Sequence, residues 1–252
     1  MGLYMRFMSP EERERYARHI LLKEIGGPGQ RRLKAATAAI VGLGGLGAPA
    51  ALYLAAAGLG RLRLIDDDTE SLSNLQRQIL YRTDEVGARK VDRARAHLSA
   101  LNLNIEIDVR PERLTDANAS TLLAGADIVL DGTDDFATRF AVNAACRALR
   151  IALISGAVGR WDGQLAVFTP DGPCYRCLVP EAPPDIETCA QAGIVGALTG
   201  VIGSLMALET IKEIAEAGES LAGRVLIFDG LAATARTVTL SRDPACQVCG
   251  DG

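Results

Sequence analysis

The run Ala36-Thr37-Ala38-Ala39-Ile40-Val41-Gly42-Leu43-Gly44-Gly45-Leu46-Gly47 decides the fold. Ala36 to Val41 is small and β-branched, which reads as a buried strand. Gly42, Gly44 and Gly47 then fall at G-x-G-x-x-G spacing, with Gly45 between them, and a helix from about Gly45 to Ala57 follows. A glycine turn between a strand and a helix lets backbone N–H groups approach a phosphate at the positive helix end. Asp66 comes about twenty residues on, at the end of the next strand, where a carboxylate can accept from a ribose hydroxyl. Asp67 and Asp68 adjoin it, so the choice is open by one or two positions. The pattern reads as a nucleotide site without naming the nucleotide. A tight turn that serves only helix packing is the bland alternative. No G-x-x-x-x-G-K-[ST] run is present, so this is not a P-loop.

Outward from that turn, strands and helices alternate. Arg61–Ile65, Ile105–Val109, Asp127–Leu130 and Ile151–Ser155 read as strands, and Lys90–Leu101, Asp116–Leu123 and Phe136–Leu149 as helices. Such alternation predicts a parallel sheet covered on both faces. Upstream, Ser9-Pro10-Glu11-Glu12 is a capping box for a helix running to about Leu22. It ends before Gly26-Gly27-Pro28-Gly29, and a short basic helix covers Gln30–Lys34. Downstream the pattern changes. Asp162-Gly163 looks like a hairpin turn, a long helix follows Gly193, and Val225–Phe228 and Thr234–Leu240 are late strands. The expected fold class is α/β: a Rossmann-like, mostly parallel sheet extended by antiparallel C-terminal strands. The chain reads as one domain over 1–252, with N-terminal helices at 9–34, a nucleotide-binding half at 35–156 and a second half at 157–252.

Composition narrows the function. The 252 residues carry 27 Lys and Arg against 31 Asp and Glu, a net charge of −4, and aromatics are only 4%. That disfavours a basic nucleic-acid footprint and a base-stacking platform. Two histidines exclude a histidine-rich metal site. Mean hydropathy is +0.14, an ordinary globular value. Met1–His19 has no apolar core, so it is not read as a signal peptide. Ala35–Gly60 and Ala190–Leu208 are uncharged, but glycines and small residues favour buried helices over membrane spans. Gly196 and Gly200 stand at G-x-x-x-G spacing in the second stretch, where small residues would let helices pack closely. The cytoplasm, with reduced thiols, is the expected location.

Chemistry-bearing residues cluster after the glycine turn. Ser73-Asn74-Leu75-Gln76-Arg77-Gln78 follows the acidic run, and Arg77 and Lys90 are expected near the same sheet edge. Two cations there suit a triphosphate whose leaving pyrophosphate must be neutralised; the alternative is a pair of solvated surface charges. In Asp131-Gly132-Thr133-Asp134-Asp135, a carboxylate could hold Mg²⁺ against phosphate, or Asp134 or Asp135 could cap the next helix. Cys174-Tyr175-Arg176-Cys177 and Cys246-Gln247-Val248-Cys249 are two C-x-x-C pairs that read as a structural four-thiolate zinc site. Redox pairs are the weaker alternative. Cys146 reads as core, and Cys189, after a proline-rich loop, as either a nucleophile or a bystander.

In this combination and order the motifs resemble the MoeB/ThiF (HesA/MoeB/ThiF) family, prokaryotic relatives of the ubiquitin-activating enzymes. The likeness runs from Arg15-Tyr16-Ala17-Arg18 to Cys249. It implies binding of ATP and Mg²⁺ and adenylation of the C-terminal glycine of a ubiquitin-like sulfur carrier ending in Gly-Gly, with release of pyrophosphate. The product would feed molybdopterin, thiamin or tRNA thiolation. By motif, Gly42, Gly44, Gly45 and Gly47 would form the phosphate turn, Asp66 would hold the ribose, and Asn74, Arg77 and Lys90 the phosphates. Asp134 would hold Mg²⁺ or orient the reacting groups. Arg18 matches an arginine that reaches the partner subunit's ATP, which implies a homodimer. Cys189 occupies the family's loop cysteine, which takes part in sulfur chemistry in some members. Gly132 and Asp135 depart from the Cys and Asn often found there. No rhodanese domain follows Cys249, so sulfur is expected from a separate donor protein. An NAD-dependent oxidoreductase, a tRNA-modifying dehydratase and a zinc-stabilised binding module are the competing readings; no catalytic His or Tyr-Lys pair favours the first.

Overall fold

The computed structural model describes residues 8–183 and 193–250; Cys189 lies outside the described residues. Helix α1 (Pro10–Arg15) starts on the expected capping box, with the Glu12 N–H donating to Ser9 Oγ at 3.2 Å and the Ser9 N–H to Glu12 Oε2 at 2.8 Å. The expected single helix to Leu22 breaks at Tyr16, and α2 (Ala17–Ile20) follows. Tyr16 is buried, and its ring fills the slot beside Gly58. Helix α3 (Gly26–Ala35) begins at Gly26 rather than Gln30. Pro28 sits in the first turn, where its missing N–H costs nothing.

The remaining elements are β1 (Thr37–Val41), α4 (Gly47–Ala56), β2 (Arg61–Ile65), α5 (Lys90–Leu101), β3 (Glu106–Arg110), α6 (Ala119–Leu123), β4 (Ile128–Asp131), α7 (Phe136–Leu149), β5 (Ala152–Gly159), β6 (Asp162–Phe168), α8 (Tyr175–Leu178), α9 (Gly196–Ala215), β7 (Arg224–Asp229) and β8 (Thr234–Thr239). The strands form an eight-stranded sheet in the order β3-β2-β1-β4-β5-β6-β7-β8. Pairing is parallel from β3 through β5 and antiparallel from β5 through β8. This is the Rossmann-like sheet with an antiparallel extension that the alternation predicts.

The central strands β1 and β4 are buried on both faces, as their apolar runs require. Ile40, Leu62, Leu64, Leu130 and Ile154 face α4, α5 and α9, while Val41, Ile65, Val129 and Leu153 belong to the core under α6 and α7. Among the described residues no helix is long and apolar enough to cross a membrane. Within α9 close approaches are made at Gly196, where a Cβ would lie 2.1 Å from the Gln76 carbonyl oxygen, and at Gly203, where it would lie 2.5 Å from that of Leu46; Gly200, the other half of the G-x-x-x-G pair, faces open space.

The hairpin between β5 and β6 corrects one expectation. Pairing extends to Gly159 opposite Asp162, so Asp162-Gly163 already belong to β6 and the turn is Arg160-Trp161. Arg160 takes the left-handed conformation, φ 44°. Gly163 serves packing instead: a Cβ there would lie 2.6 Å from Ile202 Cδ1.

The tightest approach in the glycine turn is Gly47, where a Cβ would fall 1.9 Å from the Gly42 carbonyl oxygen. Gly47→Ala is expected to cost about 3 kcal/mol or more, because backbone cannot move aside as a side chain can. Gly200→Ala is expected to stay within about 1 kcal/mol of the unsubstituted chain. Urea unfolding midpoints of the two variants check the contrast.

Candidate functional site

Register places the site. Ile65, Val41, Asp131 and Ser155 pair in one row across β2, β1, β4 and β5. The residues that follow them, Asp66, Gly42, Gly132 and Gly156, therefore leave the sheet side by side. The strand order reverses between β1 and β4, and such a crevice at the carboxyl ends of strands is where open α/β sheets bind ligands.

The glycine turn is held from below. Gly42 has φ +82°. The buried Leu43 donates its N–H to Asp66 Oδ2 at 2.7 Å, and its carbonyl accepts from the Tyr81 hydroxyl at 3.0 Å. Asp66 Oδ1 accepts from the Asp68 N–H at 2.8 Å. Burial raises the Asp66 carboxyl above its ordinary value, against the opposing charge of Lys90 and these two donors. Asp67 is exposed, so of the three carboxylates Asp66 alone is built into the turn.

Lys90 is not a surface charge. It is 3% exposed, opens α5, and its Nζ lies 2.9 Å from Asp68 Oδ2. A buried cation at the positive end of a helix is unfavourable by itself. The carboxylates of Asp66, Asp68 and Glu70 offset it. Arg77 is half-buried, bonds Asn74 Oδ1 at 3.1 Å and the Ser73 carbonyl at 3.1 Å, and also acts on Glu70. Asn74 thus orients Arg77. Glu70 and Gln78 are buried, and Glu70 Oε2 and Gln78 Oε1 accept from no described residue. Gln78 lies against Gly44, and Gly45 packs on Thr199 of α9. The unsatisfied buried acceptors call for hydrogen-bond donors and the two cations for an anion, so the cradle suits a ligand that carries both.

At the end of β4 the two roles open to the carboxylates separate. Asp135 caps α7, its Oδ1 accepting from the Thr138 N–H at 2.9 Å. Asp131 is fully buried and accepts from the Thr133 N–H at 3.0 Å and its hydroxyl at 2.7 Å. Asp134 remains exposed and takes no part in the cap. Asp134 thus offers one exposed carboxylate, the type of ligand that Mg²⁺ takes together with substrate phosphates.

The two C-x-x-C pairs converge. The sulfurs of Cys174, Cys177, Cys246 and Cys249 all lie within 4.8 Å of one another. Cys174 and Cys246 sulfurs are 3.6 Å apart, and those of Cys177 and Cys249 3.3 Å. Such spacing fits tetrahedral thiolate ligation of Zn²⁺ with no open position. Burial raises Cys174 and Cys249; at Cys246 the Val248 and Cys249 N–H groups outweigh burial and bring the thiol to about 7. Asn143 ties the cluster to α7, donating to Cys174 Sγ at 3.6 Å and accepting the Tyr175 N–H at 2.8 Å. Cys146 is buried core, as expected.

One predicted residue stands apart. Arg18 is exposed on α2, next to Tyr16, which packs on Gly58 and accepts from Asn102 Nδ2 at 2.8 Å. Gly58 and Asn102 follow the C-termini of α4 and α5, at the amino ends of the strands, so Arg18 lies away from its own chain's glycine turn. Tyr81, Glu70, Asn143 and Arg139 escape sequence reasoning. Each is a single polar residue whose role depends on burial, and no spacing marks it.

The ThiF family model matches residues 16–248. The chain is 43% identical over 241 residues to the SAMP-activating enzyme E1 of Haloferax volcanii, covering 95% of this chain and 89% of that protein. It is 45% identical over 249 residues to the sulfur carrier protein adenylyltransferase of Thermus thermophilus, covering 96% and 92%. A crystal structure of E. coli MccB with AMPCPP and MccA superposes with a TM-score of 0.82 at 25% identity, over 99% of this chain and 76% of that one. Glycine turn, buried lysine, paired cysteine motifs and matched length agree: the chain belongs to the ThiF family.

Proposed function

We propose that this protein is an ATP-dependent adenylyltransferase that activates the C-terminal glycine carboxylate of a ubiquitin-like sulfur carrier, with the chain acting as one adenylation domain. The observation that carries the reading is Lys90, buried at a helix start where only neighbouring carboxylates and an incoming anion make it tolerable. In the reaction a carrier carboxylate oxygen attacks the α-phosphorus of ATP. The bond to the bridging oxygen breaks, pyrophosphate leaves, and a carrier acyl-adenylate remains. A carboxylate is already nucleophilic, so no protein base is needed, and positioning and charge neutralisation dominate.

Each residue has a part in that scheme. The turn at Gly42, Gly44, Gly45 and Gly47 takes the phosphates by backbone contact, and Asp66 takes the ribose. Arg77, oriented by Asn74, and Lys90 neutralise the leaving pyrophosphate. Asp134 holds Mg²⁺, which when bound shields phosphate charge from the attacking carboxylate. The four cysteines hold Zn²⁺, which when bound ties the C-terminal segment to α8 without taking part in chemistry. A separate protein supplies the sulfur, and the reduced cytoplasm suits the thiols.

A homodimer is part of this proposal. A shallow hollow of about 400 Å³ is lined by Pro49, Leu52, Tyr53, Ala56, Ile79 and Leu101. Tyr53 is 58% and Ile79 68% exposed there. A second copy covering this face, with its Arg18 reaching across, would supply the cation that the chain cannot bring to its own site.

ATP–pyrophosphate exchange with a carrier ending in Gly-Gly tests the activity. Lys90→Met and Asp134→Ala are each expected to lose about hundredfold or more; unchanged exchange in Asp134→Ala rejects the site assignment. Mixing Arg18→Ala with Lys90→Met subunits should restore about a quarter of full activity, since half the dimers then carry one intact site; no recovery rules out action across the dimer. Elemental analysis should find one zinc per chain, and Cys177→Ser should melt about 10 °C lower with ATP affinity little changed. An unaltered melting point would refute the structural metal.

A further inference from the structure

Arg139 is a buried cation outside the residues assigned above. It sits in α7, is 5% exposed, and fans its guanidinium across the floor of the loop that carries Asp134. One nitrogen, Nη2, donates to the Thr133 carbonyl and, at 2.8 Å, to the Gly156 carbonyl. The other, Nη1, donates to Ser155 Oγ at 3.2 Å and lies 3.6 Å from Asp131 Oδ2. Ser155 Oγ in turn donates to Asp131 Oδ2 at 3.3 Å. The ring of Tyr175 closes the far side, 5.8 Å from the guanidinium carbon.

The consequence is that the residues on both sides of Asp134 are held, Thr133 through its backbone and Asp135 through its side chain. Thr133 is held through its N–H and hydroxyl by Asp131 and through its carbonyl by Arg139. Asp135 is held by the α7 cap and, at 3.3 Å, by Arg113. Gly132 is tied to β1 by its N–H on the Val41 carbonyl at 3.0 Å. Of residues 131–135 only Asp134 is exposed. As a bare stabiliser this arrangement is poor, because a buried ion pair is often no better than apolar residues of the same volume. What an apolar pair could not do is hold two carbonyls, from different chain segments, with one rigid fork.

We propose that Arg139 is a positioning residue for the adenylation step, fixing the backbone on the N-terminal side of Asp134 so that its carboxylate is aimed before substrate arrives. The inference rests on the reading of Asp134 given above. Arg139→Lys keeps the charge beside Asp131 but cannot span both carbonyls and Ser155.

The test uses the full chain and a recombinant sulfur carrier ending in Gly-Gly that supports ATP–pyrophosphate exchange with the unsubstituted protein. Arg139→Lys should lower kcat about tenfold or more, with KM for ATP and for carrier within about twofold. It should add little to the loss already present in Asp134→Asn, since both act through one carboxylate. If Arg139→Lys melts below the assay temperature, Ser155→Ala removes two bonds of the network, one from Arg139 and one to Asp131, and should lower kcat by a smaller factor of about two to five. An unchanged kcat, a KM that rises in step, or a full additive loss in the Asp134→Asn background overturns the inference. Unchanged exchange in Asp134→Asn alone overturns the reading of Asp134 and this inference with it. A strong loss there beside an unaffected Arg139→Lys overturns only the role of Arg139.

Discussion

The chain passes from β1 into α4 through a turn with no room for a side chain at its closing residue. A Cβ on Gly47 would lie 1.9 Å from the Gly42 carbonyl oxygen. This contact draws the start of α4 against the carboxyl end of β1, and the rest of the site is arranged around it. Leu43, at the tip, is bonded on both sides, to Asp66 after β2 and to Tyr81 beyond it. Gly132, after β4, lies against Gly47 from the other flank. Three strand ends are thereby gathered on one backbone turn, and the crevice above them is where a nucleotide phosphate would find donors.

Charge follows the same geometry. The chain is acidic overall, yet it places Lys90 and Arg77 where an anion would enter and surrounds them with Asp66, Asp68 and Glu70. Those carboxylates keep a buried lysine tolerable. An incoming triphosphate would take over part of that work, since its charge and theirs compete for the same cations. The second half of the chain is held by different means. Strands β7 and β8 extend the sheet at its edge, and β8 is exposed along its length. The four thiols gather the C-terminal segment against α8, and Asn143 joins that cluster to α7. The helix that presents Asp134 at its start is therefore the helix that anchors the cysteines from its middle.

Much of this was legible in the residues. Lys90–Leu101 and Phe136–Leu149 end where apolar spacing and flanking residues say they should. The C-x-x-C pairs announced one cluster because paired thiols at that spacing are the usual ligand set of a structural zinc site. Other features were not legible. Asp134 and Asp135 are identical in type, and only the backbone after β4 shows that Asp135 caps α7. Gly163 looked like a turn residue, but its purpose is to admit Ile202 from a helix some forty residues away, a contact no local pattern encodes. Pro28 and its glycines looked like a helix stop, yet Pro28 lies in the first turn of α3, where proline is tolerated.

By itself the sequence determined the strand–helix alternation, the glycine turn and the pairing of the cysteines, because these depend on side-chain size, polarity and spacing along the chain. The tertiary structure alone decided burial and direction. It put Lys90 inside and Arg18 outside, gave Asp66 to the turn and left Asp67 in solvent, and set Arg139 under the loop of Asp134. The physical reason is that the free energy of a charge depends on what surrounds it in space. Those surroundings come from segments far apart in the chain, brought level only when the sheet aligns the ends of its strands.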